Sequence, residues 1–116
     1  MVKLADIIEP IYREYTPVLQ RAKITLDLDL ENPILELKHP ATPEFELKKY
    51  LEFITSTRAG QGSIVISSCG DQLIVKDSSS VLSPEQRELF TSDNTSVKSR
   101  VGFGTTLSIK LFGSHK

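Results

Sequence analysis

Side chains able to act as nucleophile, base or metal ligand are sparse in this sequence. Its one cysteine, Cys69, and its two histidines, His39 and His115, lie far apart and have no metal-ligand spacing. The sequence therefore predicts no zinc site. No acidic or histidine neighbour marks Cys69 as an activated thiol, so a half-buried place at a strand end suits it. A Ser-His-Asp arrangement has no G-x-S-x-G elbow to support it. Glu46, Lys48, Lys49 and Glu52 stand opposite an apolar stripe, and their expected place is the wet face of a helix, ahead of metal or phosphate binding. No residue is singled out as catalytic or metal-binding.

The elements that would position any site can be read from periodicity. Leu4, Ile7, Ile8, Ile11, Tyr15, Val18, Leu19 and Ala22 recur at three- and four-residue steps, which predicts an amphipathic helix. Pro10 and Pro17 fall inside it and predict a bend or a break. Ile24 to Leu30 alternates apolar and polar, the period of a strand with one wet face. Asn32-Pro33 marks a turn, and Ile34 to Lys38 a second short strand. Thr42-Pro43-Glu44 opens a helix whose buried face is Leu47, Tyr50, Leu51 and Ile54. Gly60-Gln61-Gly62 ends it. Ser63 to Ser68 and Gln72 to Lys76 predict a hairpin turning at Gly70-Asp71. Ser83-Pro84-Glu85-Gln86 is a capping-box start to a short helix through Phe90. Val97 to Ser99 and Thr105 to Leu111 close the chain as a hairpin around Gly102-Phe103-Gly104.

Helices interleaved with hairpins predict an α+β two-layer sandwich: one mixed, mostly antiparallel sheet with helices on one face. A chain of 116 residues with no internal repeat or linker is expected to form one domain over residues 1–116. Composition fits a globular protein, 39% hydrophobic and 25% charged. With 14 basic and 15 acidic residues, no overall excess draws it to nucleic acid or an anionic membrane. The single cysteine suits a reducing compartment. No signal-peptide pattern or membrane-long apolar run is present, so a cytoplasmic location without membrane contact is expected.

Three stretches carry a family resemblance. The opening, VKLADIIEPIYREYTPVLQRAKITLDLDL, is similar to the start of the ATP-binding catalytic domain of bacterial sensor histidine kinases, members of the Bergerat-fold ATPase superfamily. LIVKDSSSVLSPEQRELF resembles their strand, first glycine box and following helix. SVKSRVGFGTTLSIKL resembles their last hairpin, with its G-x-G-T-T-F/L strand.

The resemblance implies a nucleotide pocket, and its residues can be carried over one at a time. The first glycine box, D-x-G-x-G, reads Asp77-Ser78-Ser79-Ser80-Val81 here. Asp77 stands where the family accepts a hydrogen bond from the adenine amino group, and Ser79 and Val81 replace both glycines. Thr105 matches a final-strand threonine beside that aspartate, and its phase with Leu107 points it to the core side. By this reading Asp77→Asn alters stability little and removes any adenine binding. The phosphate end is different. The helix EFELKKYLEFITST carries no asparagine to orient magnesium. Only Thr91 to Ser96 separate Phe90 from the closing hairpin, too little for the lid, second glycine box and third long helix. Gly102-Phe103-Gly104 is assigned to the hairpin turn, not to that second box, because Leu107, Ile109 and Leu111 alternate like a strand. The missing third helix predicts a thinly covered patch, unless the helix from Pro84 to Phe90 fills it.

Two functional readings result. The first is a degenerate, non-catalytic kinase domain that serves as a regulatory or interaction module. It needs no cofactor and binds adenine nucleotide weakly or not at all. Its partners would be other domains of a sensor kinase or a response regulator. The second is a working ATP-binding kinase domain, a fragment of a longer sensor kinase, that uses ATP and Mg2+ to supply phosphate to a histidine. His39, in Lys38-His39-Pro40, sits in a turn and not on the helical hairpin that would carry a phosphoacceptor.

Overall fold

The computed structural model describes residues 2–57 and 60–112. His115 lies outside them. The chain runs β1 (Val2–Lys3), α1 (Leu4–Arg21), β2 (Ile24–Asp29), β3 (Glu36–Leu37), α2 (Ala41–Thr57), β4 (Gly62–Cys69), β5 (Gln72–Asp77), α3 (Pro84–Phe90), β6 (Thr95–Arg100) and β7 (Gly104–Lys110). Five strands form the main sheet in the order β2-β4-β5-β7-β6. Only β2 and β4 run parallel, and the other neighbouring pairs are antiparallel. The α+β architecture and mixed sheet agree with the sequence.

Two details differ from the expectation. The strand expected over residues 34–38 shrinks to Glu36–Leu37 and leaves the main sheet, pairing with β1. A single sheet is therefore corrected to a five-stranded sheet plus a two-stranded one. A two-residue strand has no periodicity to read, so β1 gives no sequence signal. The second difference is in α1, which continues without a break through Pro10 and Pro17. Both prolines are exposed while Leu4, Ile8, Ile11, Tyr15 and Leu19 are buried. The carbonyls that lose their helix donors therefore lie on the water side, where solvent satisfies them, and the apolar stripe stays in register.

The core lies between the helices and one face of the sheet. Alternate residues of the central strands point into it: Ile64 and Ile66 of β4, Leu73 and Val75 of β5, Leu107 and Ile109 of β7. Leu47, Tyr50, Leu51 and Ile54 of α2 meet them, all buried as the periodicity predicts. Cys69, expected to be half-buried, is exposed at the last position of β4, where the alternation turns it outward.

The third helix is short but sealed. Ser83 Oγ accepts from the Gln86 amide at 3.2 Å while Gln86 Oε1 accepts from the Ser83 amide at 3.0 Å, the predicted capping box. Phe90 ends the helix, buried, with its ring edge-on to Tyr50 at 5.2 Å and Phe53 at 5.1 Å. α3 and this aromatic group cover part of the patch expected to be thin, while Leu89 and Phe45 stay exposed.

Candidate functional site

The candidate residues come from three places: the loop after β5, the start of β7, and α2. Asp77 is the last residue of β5 and pairs with Thr105 of β7 across the sheet. Alternation turns both toward the helices, where they are 2% and 1% exposed. A carboxylate this deep needs partners for all its lone pairs.

Asp77 finds four. Oδ1 accepts from the Ser79 amide at 2.7 Å and from the Ser79 hydroxyl. Oδ2 accepts from the Ser80 hydroxyl at 3.1 Å and from the phenol of Tyr50. An ionised carboxylate has about four acceptor sites, so these donors leave none for an external amino group. Ser79 therefore occupies one of the places where a nucleotide contact is implied, and Tyr50 another. Burial first, and then the Asp77 carboxylate, push the Tyr50 phenol well above the usual tyrosine range. The phenol stays protonated and donates.

Thr105 is equally committed. Its Oγ1 donates to the Ser80 carbonyl at 3.0 Å, and its single proton is thereby used. The 2.8 Å contact with Ser99 Oγ must then run from Ser99 to Thr105. Ser99 Oγ in turn accepts from the Leu82 amide at 2.7 Å. A relay from Leu82 through Ser99 and Thr105 to Ser80 thus ties the loop to the closing hairpin.

The loop lies unusually close to the strands around it, and two glycines make room. A Cβ on Gly104 would sit 2.3 Å from the Asp77 carbonyl oxygen, and Gly104 has φ +80°. A Cβ on Gly62 would sit 2.8 Å from Ser79 Cα. Ser79 stands where the resemblance implies a glycine, while neighbouring strands supply the glycines that let the loop settle.

The structure thus brings Asp77, Ser79 and Thr105 together and leaves Val81 apart. Val81 is 45% exposed and lines an open cleft of 330 Å³ with Ser78, Ser79, Ser80, Gly102, Phe103 and Gly104. No cationic side chain lines this cleft, so its walls do not suit a triphosphate. Among the described residues, no group of three or more His, Cys, Asp or Glu side chains is placed to hold a metal ion.

Three expectations need correction, two of them in α2. Glu46, expected on the wet face, is 7% exposed because it falls on the stripe shared by Pro43, Leu47 and Tyr50. Lys49 is half-buried: its ammonium donates to the Leu89 carbonyl at the end of α3 and lies over the Phe90 ring at 5.4 Å. Asp77→Asn, expected to be nearly neutral, removes one acceptor oxygen from a fully used carboxylate. Glu52 is exposed as predicted, and Lys48 is partly so. Lys48 pairs with Glu44 at 3.8 Å, and Glu52 accepts from the Tyr15 phenol. The sequence reading missed Tyr50 as a polar contributor. The available signal was a tyrosine on an otherwise aliphatic buried face, since a buried phenol requires a hydrogen-bond partner.

No family model and no curated protein matches the chain by sequence. Solved structures do match by shape. The cytoplasmic segment of histidine kinase QseC superposes with TM-score 0.68 over 96% of this chain and 72% of that one, at 18% identity. The histidine kinase domain of Erythrobacter litoralis EL346, a blue-light activated kinase, gives TM-score 0.70 at 12% identity over 95% and 62% of the two chains. The histidine kinase ThkA, solved in complex with the response regulator TrrA, gives TM-score 0.64 at 12% identity over 97% and 41%. The fold is that of the histidine-kinase catalytic domain. No described helix is long and apolar enough to cross a membrane.

Proposed function

We propose that this chain is a kinase-type domain that has given up nucleotide chemistry and acts through its surfaces. It serves as a regulatory or docking module in two-component signalling. The observation that carries this reading is the Asp77 carboxylate, filled from within by Tyr50, Ser79 and Ser80. An adenine amino group would have to displace a buried phenol whose ring is packed against Phe53 and Phe90. Phosphoryl transfer also depends on positioned metal and backbone donors around the phosphates. The short link from α3 to β6, residues 91–94, offers no room for a lid. Partners that suit such a module are other domains of a sensor kinase or a response regulator, the kind of protein found bound to ThkA.

The test is a calorimetric titration of the protein with magnesium-ATP, ADP and adenosine. No heat of binding is expected from any of them. Micromolar binding of magnesium-ATP, tighter than adenosine, would overturn the reading in favour of a working kinase domain that is part of a longer sensor kinase. A second arm uses Tyr50→Ala, which removes the phenol and vacates its ring volume. Weak adenosine binding, indifferent to magnesium and seen only in this variant, would support an adenine place closed by Tyr50.

A further inference from the structure

The outward face of the sheet carries a charge pattern that overall composition hides. β5, β7 and β6 turn alternate residues away from the helices, and on that face stand Lys76, Lys98, Arg100 and Lys110, all exposed. Lys76 and Lys98 each pair with Thr106, one from either side, so the two bases lie in one row across three strands. At normal strand spacing their Cβ atoms are ~10 Å apart. No acidic residue shares that face of these strands. The acids of the outward face, Asp27 and Asp29, stand on β2 at the far edge of the sheet. Among the described residues, none of the four bases is in an ion pair.

Two further features meet the basic row at one end. β6 is an edge strand, bonded to β7 on one side and to no strand on the other among the described residues; Ser92 already bonds both backbone groups of Thr95, so the open edge runs from Val97 onward. The β6–β7 turn presents Val101 and Phe103, 87% and 79% exposed, with the Arg100 guanidinium over the Phe103 ring at 5.4 Å. Lysines at a sheet edge ordinarily keep other strands away. That protective role gives no reason for a bare valine and phenylalanine beside them.

We infer that this end of the sheet docks an extended, acidic segment of a partner protein. The segment adds to the free edge of β6, so main-chain bonds provide attachment. Its carboxylates face Lys98, Arg100 and Lys76, and an apolar side chain meets Val101 and Phe103. A free strand edge and an apolar tip favour a peptide over a nucleic acid, whose phosphates would use neither.

The probe is a short synthetic peptide alternating Glu with Thr around one central Leu, titrated into isotope-labelled protein and followed by amide chemical shifts. Saturable shifts concentrated in β6 and the turn to β7 are expected. The double variant K98E/R100E, on exposed sites, should weaken binding about tenfold or more, as should high salt. Phe103→Ser should weaken it without altering the salt dependence. Absence of saturable shifts, shifts centred on another face, or unchanged affinity in K98E/R100E would overturn the proposal. So would equal or tighter binding of oligo-thymidylate. Self-association would too, if sedimentation showed the K98E/R100E-sensitive contact to be between copies, through Asp27 and Asp29.

Discussion

Lys76 and Asp77 are adjacent in β5, and the pleat sends them to opposite environments. Lys76 stands exposed on the outward face, in a row of like charges. Asp77 is buried on the inward face, its carboxylate shared among two serines and a tyrosine. A charged group at the surface interacts through screened, adjustable contacts. One in the interior is kept only if every lone pair is satisfied, which makes it a structural fixture. At the inward end the Asp77 carboxylate is part of the core. The outward face has kept the freedom that recognition requires.

Three stability measurements by urea unfolding would break or sharpen this contrast. The largest effect is expected at Gly104→Ala, where the new Cβ would meet the Asp77 carbonyl oxygen at 2.3 Å in a backbone with φ +80°. A loss of about 3 kcal/mol is expected; a near-neutral result would mean the loop does not hold Asp77 where it is described. Next comes the matched pair Asp77→Asn and Lys76→Gln, which each remove one charge from neighbouring positions. Asn has one acceptor oxygen for four donors, and the loss should be about 2 kcal/mol, against under ~0.5 kcal/mol for Lys76→Gln. Equal costs would dissolve the comparison.

A smaller effect than that of Asp77→Asn is expected at Tyr50→Phe. It keeps the ring and removes one bond to Asp77, for about 1 kcal/mol at neutral pH. Its pH dependence is more telling. The folded protein holds the Tyr50 phenol protonated beyond the pH at which the unfolded chain ionises it, about 10. That contribution is whole below this pH and is lost as pH rises above it. The wild type should therefore lose stability more steeply than Tyr50→Phe on the alkaline side. Tyr15, raised by burial and by Glu52, contributes a similar slope to both proteins and cancels in the difference. Parallel curves would show that Tyr50 is not held protonated.

Most elements were legible because they bury one face with a clear period. The stripe of α1, the alternation of β2, β5 and β7, and the capping box of α3 each announce themselves. Gly102-Phe103-Gly104 was rightly placed in a turn, since Leu107 and Ile109 alternate along β7. The pocket was half legible. The resemblance implied Thr105 beside Asp77 and strand phase turned it to the core side, but neither reveals the donors that fill Asp77. Tyr50 is 27 residues away in sequence, and only the packing of α2 on the sheet brings its hydroxyl to β5. Glu46 misled for a related reason: charge type predicts exposure, while its position on the helix face places it inside. The prolines of α1 do not break the helix, because their cost depends on which side of it they face.

The single parallel pair, β2 with β4, has a consequence for what this chain is able to lose. Antiparallel neighbours need only a tight turn, but parallel ones require the backbone to travel the length of the sheet and return. Here α2 makes that return journey. The helix is therefore obligatory as a span, whatever its side chains do. In a fold that elsewhere serves catalysis, the segment between α3 and β6 joins elements that a few residues suffice to connect, and it is short. Wiring preserves α2, and only chemistry would preserve a lid. On the proposed reading, the residues that route the chain are the ones such a domain has to keep.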